Sequence, residues 1–342
     1  MDFQLNEEQR MVRDMVHDFA QNKIAPRAAS VDKTEEFPAE NIRQMAELGL
    51  LGLPYPEKYG GGGGDYLSYA IAVEEIARAC GSTALIYAAH VSLGCGPIYS
   101  FGTKEQKHRW LPRLCSGQGL GAFGLTEPEA GSDAGSTRTI AVRDGDEYVL
   151  NGSKMWITSG AIADVVTCTA KTDPDAGTRG ISCFLVEQGT PGFIPGKNEP
   201  KMGLKGSVTS ALSLENCRVP AANLLGAEGE GFKQMLVTLD AGRISIGAMA
   251  LGLGQAALDE AVRYARERVQ FGQPIAKFQA IQWMIADIAT EVDAARLMVY
   301  RAAARKDAGL RFTREAAMAK LYASEVAERA AYKALQIHGG YG

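Results

Sequence analysis

The chain has 342 residues, a formal net charge of −4 and a hydrophobic content of 46%. That length exceeds what one core usually fills, which predicts two or three domains. The weak negative charge, with no Lys/Arg cluster, gives no reason to expect nucleic acid, and no apolar run reaches membrane-spanning length.

Met1-Asp2-Phe3 leads at once into an acidic helical pattern, with no Arg-rich transit segment or secretory core. The expectation is a cytoplasmic protein, or a mature chain already trimmed. The first third has helical periodicity. Asn6 with Gln9 forms a capping-box pattern, and Val12, Met15, Val16 and Phe19 keep one apolar face. Pro38 suits a helix's first turn, and Ile42, Met45 and Leu48 carry its stripe until Gly49. Gly60 to Gly64 lacks the GK[ST] of a phosphate loop and predicts a flexible connection to a helix over Leu67 to Ala79. Thr103 with Gln106 repeats the capping box.

From about Leu120 the period changes to two. Short β-rich runs (Glu147–Leu150, Val165–Ala170, Ile181–Val186, Ala211–Leu214) alternate with turn signals at Asp144-Gly145, Asn151-Gly152 and Asp173-Pro174. This predicts a small sandwich or barrel, with Asn151-Gly152 as a hairpin turn. After Pro220, amphipathic patterns over Gly231–Arg268, Phe278–Arg305 and Thr313–Ile337 predict a bundle of long helices. The expected fold class is multidomain α+β: an α-helical domain over 1–118, a β domain over 119–222 and a helical bundle over 223–342. Gly252, Gly254 and Ala257 fit a relaxed GxGxxA fingerprint, but no strand precedes them, so a close helix–helix contact is expected instead. The six cysteines are spread without metal or redox spacing and predict buried free thiols; the four histidines form no HExxH pair, so no metal site is expected.

Two segments carry most of the functional signal: FGLTEPEAGSD (Phe123 to Asp133) and NGSKMWITSG (Asn151 to Gly160). An aromatic, apolar strands, a few hydroxyls and turn residues that allow close backbone approach describe a pocket for a flat polar heterocycle. In this order and spacing the two segments resemble the paired flavin signatures of the acyl-CoA dehydrogenase family. VQFGQPIAKFQAIQ (Val269 to Gln282) resembles that family's loop after the first bundle helix, and QIHGGYG (Gln336 to Gly342) its glycine-bearing turn. The helix–strand–helix order matches as well, so the resemblance covers the chain from Leu5 to Gly342.

The resemblance implies FAD as cofactor, held by Phe123, Leu125, Thr126, Gly131, Ser132, Trp156, Ile157 and Thr158, with Arg268, Phe271, Gln279, Gln336, Gly339 and Gly340 reaching the flavin of a neighbouring subunit or its adenosine diphosphate half. It implies that Ser132, Asp240 and Arg243 meet the coenzyme A substrate. It also implies a homo-oligomer, a dimer of dimers, that passes electrons to an electron-transferring flavoprotein. The reaction implied is α,β-dehydrogenation of a short- or branched-chain acyl-CoA to the trans-2-enoyl-CoA, in fatty acid or amino acid catabolism. In it a carboxylate removes the α-proton and donors stabilise the enolate oxygen. No residue matches the family's catalytic Glu. Most members carry it beyond the QIHGG turn, which places it past Gly342 and suggests a chain lacking its last helices. A second branch carries it at the register of Gly242, which has no side chain. Two other readings stay open: a same-fold oxidase or desulfinase-like flavoenzyme, and a non-catalytic flavin- or acyl-CoA-binding protein.

Overall fold

The computed structural model describes residues 4–342. In chain order the helices are α1 (Glu7–Phe19), α2 (Ala25–Thr34), α3 (Ala39–Glu47), α4 (Tyr66–Ala79), α5 (Gly81–Ala89), α6 (Gly96–Phe101) and α7 (Lys104–Cys115). Eight strands follow: β1 (Gly121–Gly124), β2 (Ile140–Asp144), β3 (Glu147–Thr158), β4 (Val165–Lys171), β5 (Ile181–Glu187), β6 (Phe193–Asn198), β7 (Thr209–Pro220) and β8 (Leu224–Leu225). The long helix α8 (Gly231–Glu267), a small hairpin of β9 (Val269–Gln270) and β10 (Gln273–Pro274), and helices α9 (Gln279–Asp307) and α10 (Thr313–His338) complete the chain. The chain divides into two compact units: residues 1–29, 65–85 and 243–342, and residues 30–64 and 86–242.

The second unit is built on one sheet in the order β6-β7-β3-β2-β4-β5-β8, with β1 added parallel to β4. Strands β4 and β5 are buried along nearly their whole length and therefore read as unbroken apolar runs. Tyr148, Leu150, Cys168, Phe184, Leu212 and Val219 form the centre of the core. The Asp144-Gly145 signal makes the β2–β3 hairpin, with Gly145 at φ +65°. Asn151-Gly152 does not turn the chain. It lies inside β3, where the register against β7 slips between Leu150 and Gly152. A Cβ at Gly152 would stand 2.4 Å from the Thr139 hydroxyl, so the glycine admits a bulge against its neighbour. The glycine run is likewise not a flexible connection. Successive N–H groups of Gly61 to Gly64 bond the carbonyls of Pro56, Gly52, Tyr55 and Leu53, and a Cβ at Gly61 would fall 2.1 Å from the Tyr55 carbonyl oxygen.

In the first unit the expected capping box forms at α1: the Asn6 carboxamide accepts from the Gln9 N–H at 2.8 Å, and the Gln9 side chain accepts from the Asn6 N–H at 3.0 Å. Gly252 packs α8 so close to α4 that a Cβ there would stand 2.2 Å from the Glu74 carbonyl, and Gly254 faces Val292 and Ala327. The GxGxxA pattern is thus a helix-packing device. A linked polar chain crosses this unit: Arg296 and Tyr300 of α9 bond the buried Glu74 at 3.0 and 2.8 Å, Arg296 bonds Gln255, and Arg78 bonds Asp259. One sequence expectation on membranes needs correction. Gly81–Phe101 and Gly231–Glu267 are each long and apolar enough, by length and composition, to span a bilayer. Shares of 67% and 56% of their most apolar windows are buried inside the protein, as in core helices.

Candidate functional site

Strand β1 ends at Gly124, and the chain continues through half-buried Leu125 and Thr126 to Glu127. Pro128-Glu129 forms a tight turn closed by Glu127 and Ala130, whose backbones exchange bonds of 3.0 and 3.2 Å. The Thr126 carbonyl accepts the Met155 N–H at 2.8 Å, which joins the first motif to the second. There β3 bulges between Lys154 and Ile157. The bulge sends Ile157 into the core and leaves Trp156 58% exposed at φ +60°. A bulky residue in the left-handed region costs about 1–3 kcal/mol and persists only where its surroundings impose it. Ser159, at φ +59°, closes the strand with a 2.7 Å bond to the Val208 carbonyl.

A buried ion pair stands next to the bulge. Lys154 is 0% exposed; its Nζ reaches Glu127 Oε1 at 2.7 Å, Thr169 Oγ1 at 2.9 Å and the Leu125 carbonyl at 3.4 Å. Glu127 also accepts the N–H groups of Arg138 and Thr139 at 2.6 and 3.2 Å. Burial works to raise the Glu127 carboxyl, but Lys154 and these donors win and hold it below the usual carboxylate range. Burial pulls the Lys154 amine below its ordinary value, with Glu127 opposing. Neither residue of this pair stands among the sequence-derived site residues. The only signal was a lysine at an inward strand position one motif away from a glutamate.

The expected residues of the second unit therefore gather in part. Thr126, Trp156 and half-buried Thr158, which pairs with Thr209 of β7, are presented around the bulge. Phe123 is half-buried on β1. The Ile157 side chain faces the core of the second unit, so only its backbone can serve a ligand. Gly131 and Ser132 lie exposed on the following turn. An exposed aromatic in an imposed backbone conformation, with half-buried hydroxyls beside it, fits the edge and face of a flavin ring.

In the first unit, α8, α9 and α10 bring their matching residues to one end, packed on Ala261, Ala265, Ile275, Ala334 and Ile337. The β9–β10 turn places both Phe271 (φ +52°) and Gly272 (φ +76°) in the left-handed region, a two-residue hairpin geometry that ordinarily selects Asn-Gly. Phe271 is 93% exposed. The Arg268 guanidinium lies 5.5 Å from the Tyr341 ring, and Gln279 opens α9 on the surface. Gly339 ends α10 at φ +61°, with exposed Gln336 and Gly340 beside it. Asp240 and Arg243 are both half-buried on α8. At Gly242 a Cβ would meet Leu93 Cδ2 at 3.2 Å.

Three family descriptions match the chain: Acyl-CoA dehydrogenase, N-terminal domain over residues 6–118, middle domain over 122–217 and C-terminal domain over 229–342. The chain belongs to the acyl-CoA dehydrogenase family. It is 57% identical over 343 residues to a probable acyl-CoA dehydrogenase, YngJ, of Bacillus subtilis, covering 100% of this chain and 90% of that protein. Among solved structures it resembles butyryl-CoA dehydrogenase from Megasphaera elsdenii, with a TM-score of 0.98 at 47% identity, covering 100% of this chain and 90% of the other. It is equally similar, at TM-score 0.98, 50% identity and the same coverage of 100% and 90%, to a chain in the structure "Electron transferring flavoprotein of Acidaminococcus fermentans: Towards a mechanism of flavin-based electron bifurcation". The bulge of β3 and the Thr126 segment, whose order and spacing resemble the family's paired signatures, are joined here through a backbone bond and a buried ion pair.

Proposed function

We propose that this chain is an FAD-dependent acyl-CoA dehydrogenase that forms the trans-2-enoyl thioester of a short- or branched-chain acyl-CoA and passes its electrons to an electron-transferring flavoprotein. The observation that carries the flavin reading is Trp156, held exposed at φ +60° beside Thr126 and Thr158. FAD, when bound, supplies the two-electron acceptor. Trp156 offers a face to the ring system, and the Thr126 and Thr158 hydroxyls offer hydrogen bonds to its polar edge. Ser132, Asp240 and Arg243 are the residues for the coenzyme A moiety, with the Arg243 guanidinium suited to a phosphate or amide oxygen. No base is assigned among the described residues, because Asp240 matches the coenzyme-contacting position and Gly242 has no side chain.

Arg268, Phe271 and Gln279 reach the cofactor of a neighbouring subunit in a dimer of dimers, the reading that best accounts for an aromatic 93% exposed at a strained turn. Short-chain preference draws on the likeness to butyryl-CoA dehydrogenase. An anaerobic panel of acyl-CoAs, read by bleaching of flavin absorbance, tests it. Butyryl- or isobutyryl-CoA is expected to reduce the flavin better than octanoyl- or palmitoyl-CoA, and the reverse order refutes the short-chain assignment.

A further inference from the structure

We propose that the buried Glu127–Lys154 pair is a positioning device that fixes Thr126 and Trp156 toward FAD. It rests on the flavin reading above and goes beyond it by naming what sets the ring's partners in place. Glu127 follows Thr126 directly, and Lys154 precedes Trp156 by two positions and is the last residue in register before the bulge. From that point the amine reaches three groups: Glu127 and the Leu125 carbonyl on the segment after β1, and Thr169 on β4. Glu127 in turn draws in the chain at Arg138 and Thr139. Apart from this pair, a single backbone bond, from Met155 to Thr126, is the hydrogen bond that ties the two motifs together.

A buried ion pair is a poor way to gain stability, since well-packed apolar residues of like volume often serve as well or better. It does, however, specify geometry, because both partners must keep their places to satisfy each other's charge. Here the geometry specified is that of a strained bulge which would relax if left unheld. The hydrogen bonds of the pair go to neither Trp156 nor Thr158, so Glu127 and Lys154 are positioning residues.

The test compares Lys154→Met, Glu127→Gln and the double variant with the parent protein and with Leu214→Ala. Leu214 lies in the same core at 2% exposure and pairs with Gly152 on the neighbouring strand, while its apolar side chain takes no hydrogen bond from Lys154 or Glu127. Three quantities are read: the thermal midpoint without FAD, the FAD dissociation constant from flavin fluorescence, and the visible circular dichroism of the bound flavin. Lys154→Met is expected to weaken FAD about tenfold or more and to alter the flavin's dichroism, because displacement of ring partners by a fraction of an ångström is felt at such sites. Leu214→Ala should lower the midpoint yet keep FAD binding within about twofold and its dichroism unchanged. The double variant leaves no unpaired charge, so its midpoint should recover while FAD remains loosely held; it decides the matter if Lys154→Met fails to fold. FAD binding by the double variant within about twofold of the parent, with unchanged dichroism, overturns the proposal. A parent protein that takes up no FAD instead sinks the flavin reading itself.

Discussion

His90 is fully buried and its two ring nitrogens are committed in opposite senses: Nε2 donates to the Leu114 carbonyl at 3.1 Å, and Nδ1 accepts the Gly121 N–H at 3.1 Å. A second proton would set an N–H against the Gly121 N–H, at the head of the strand that carries Phe123. Burial lowers the His90 pKa to about 4 from 6.5. The folded value is depressed, so this stabilisation is fully present above the unfolded pKa and is lost as pH falls from about 6.5 through about 4. The loss amounts to about 3 kcal/mol at most. Urea unfolding across that window is expected to show the decline, and His90→Gln should flatten it; an equal decline in that variant would assign it to other groups. Asp240 supplies a second residue-level prediction. Asp240→Asn should raise the KM for acyl-CoA while leaving the limiting rate of flavin bleaching nearly unchanged. Bleaching abolished at unchanged KM would make Asp240 the base.

At the scale of elements, the polar chain through Glu74 holds α4, α8 and α9 together. Burial raises the Glu74 pKa, and Arg296 opposes this. Arg296→Met would strand that carboxylate and is expected to cost about 3–5 kcal/mol, read as a fall in urea midpoint at unchanged slope. A change within about 0.5 kcal/mol would show the pair to be dispensable. Elements of this kind were only partly legible in the sequence. The capping residues Asn6 and Thr103 and the three long apolar stripes located their helices closely, because those signals are local. Asn151-Gly152 misled, since the dipeptide's freedom at positive φ serves a bulge as readily as a hairpin, and only the approach of Thr139 tells which. The glycine run looked flexible for a related reason: its fixed shape comes from carbonyls earlier in the chain, which composition does not reveal. Trp156 stood out in the sequence as a candidate site residue, but the buried pair beside the bulge did not, because Glu127 and Lys154 meet only through the pairing of strands.

For the whole molecule, the residues expected at FAD fall into two collections, one in each compact unit. If the second collection serves a neighbouring subunit, Phe271→Ala should weaken FAD about tenfold without lowering the thermal midpoint of the FAD-free protein, since an exposed turn residue adds little to its own unit. Light scattering should find a tetramer in the parent protein. A monomer that holds FAD tightly, indifferent to Phe271→Ala, would contradict the shared site. The most direct measurement is equilibrium titration of the purified protein with FAD, followed by flavin absorbance and fluorescence. A yellow protein with saturable uptake, weakened by Trp156→Ala, is the predicted result. A colourless protein that takes up no FAD at any concentration would contradict the flavin site on which the rest depends.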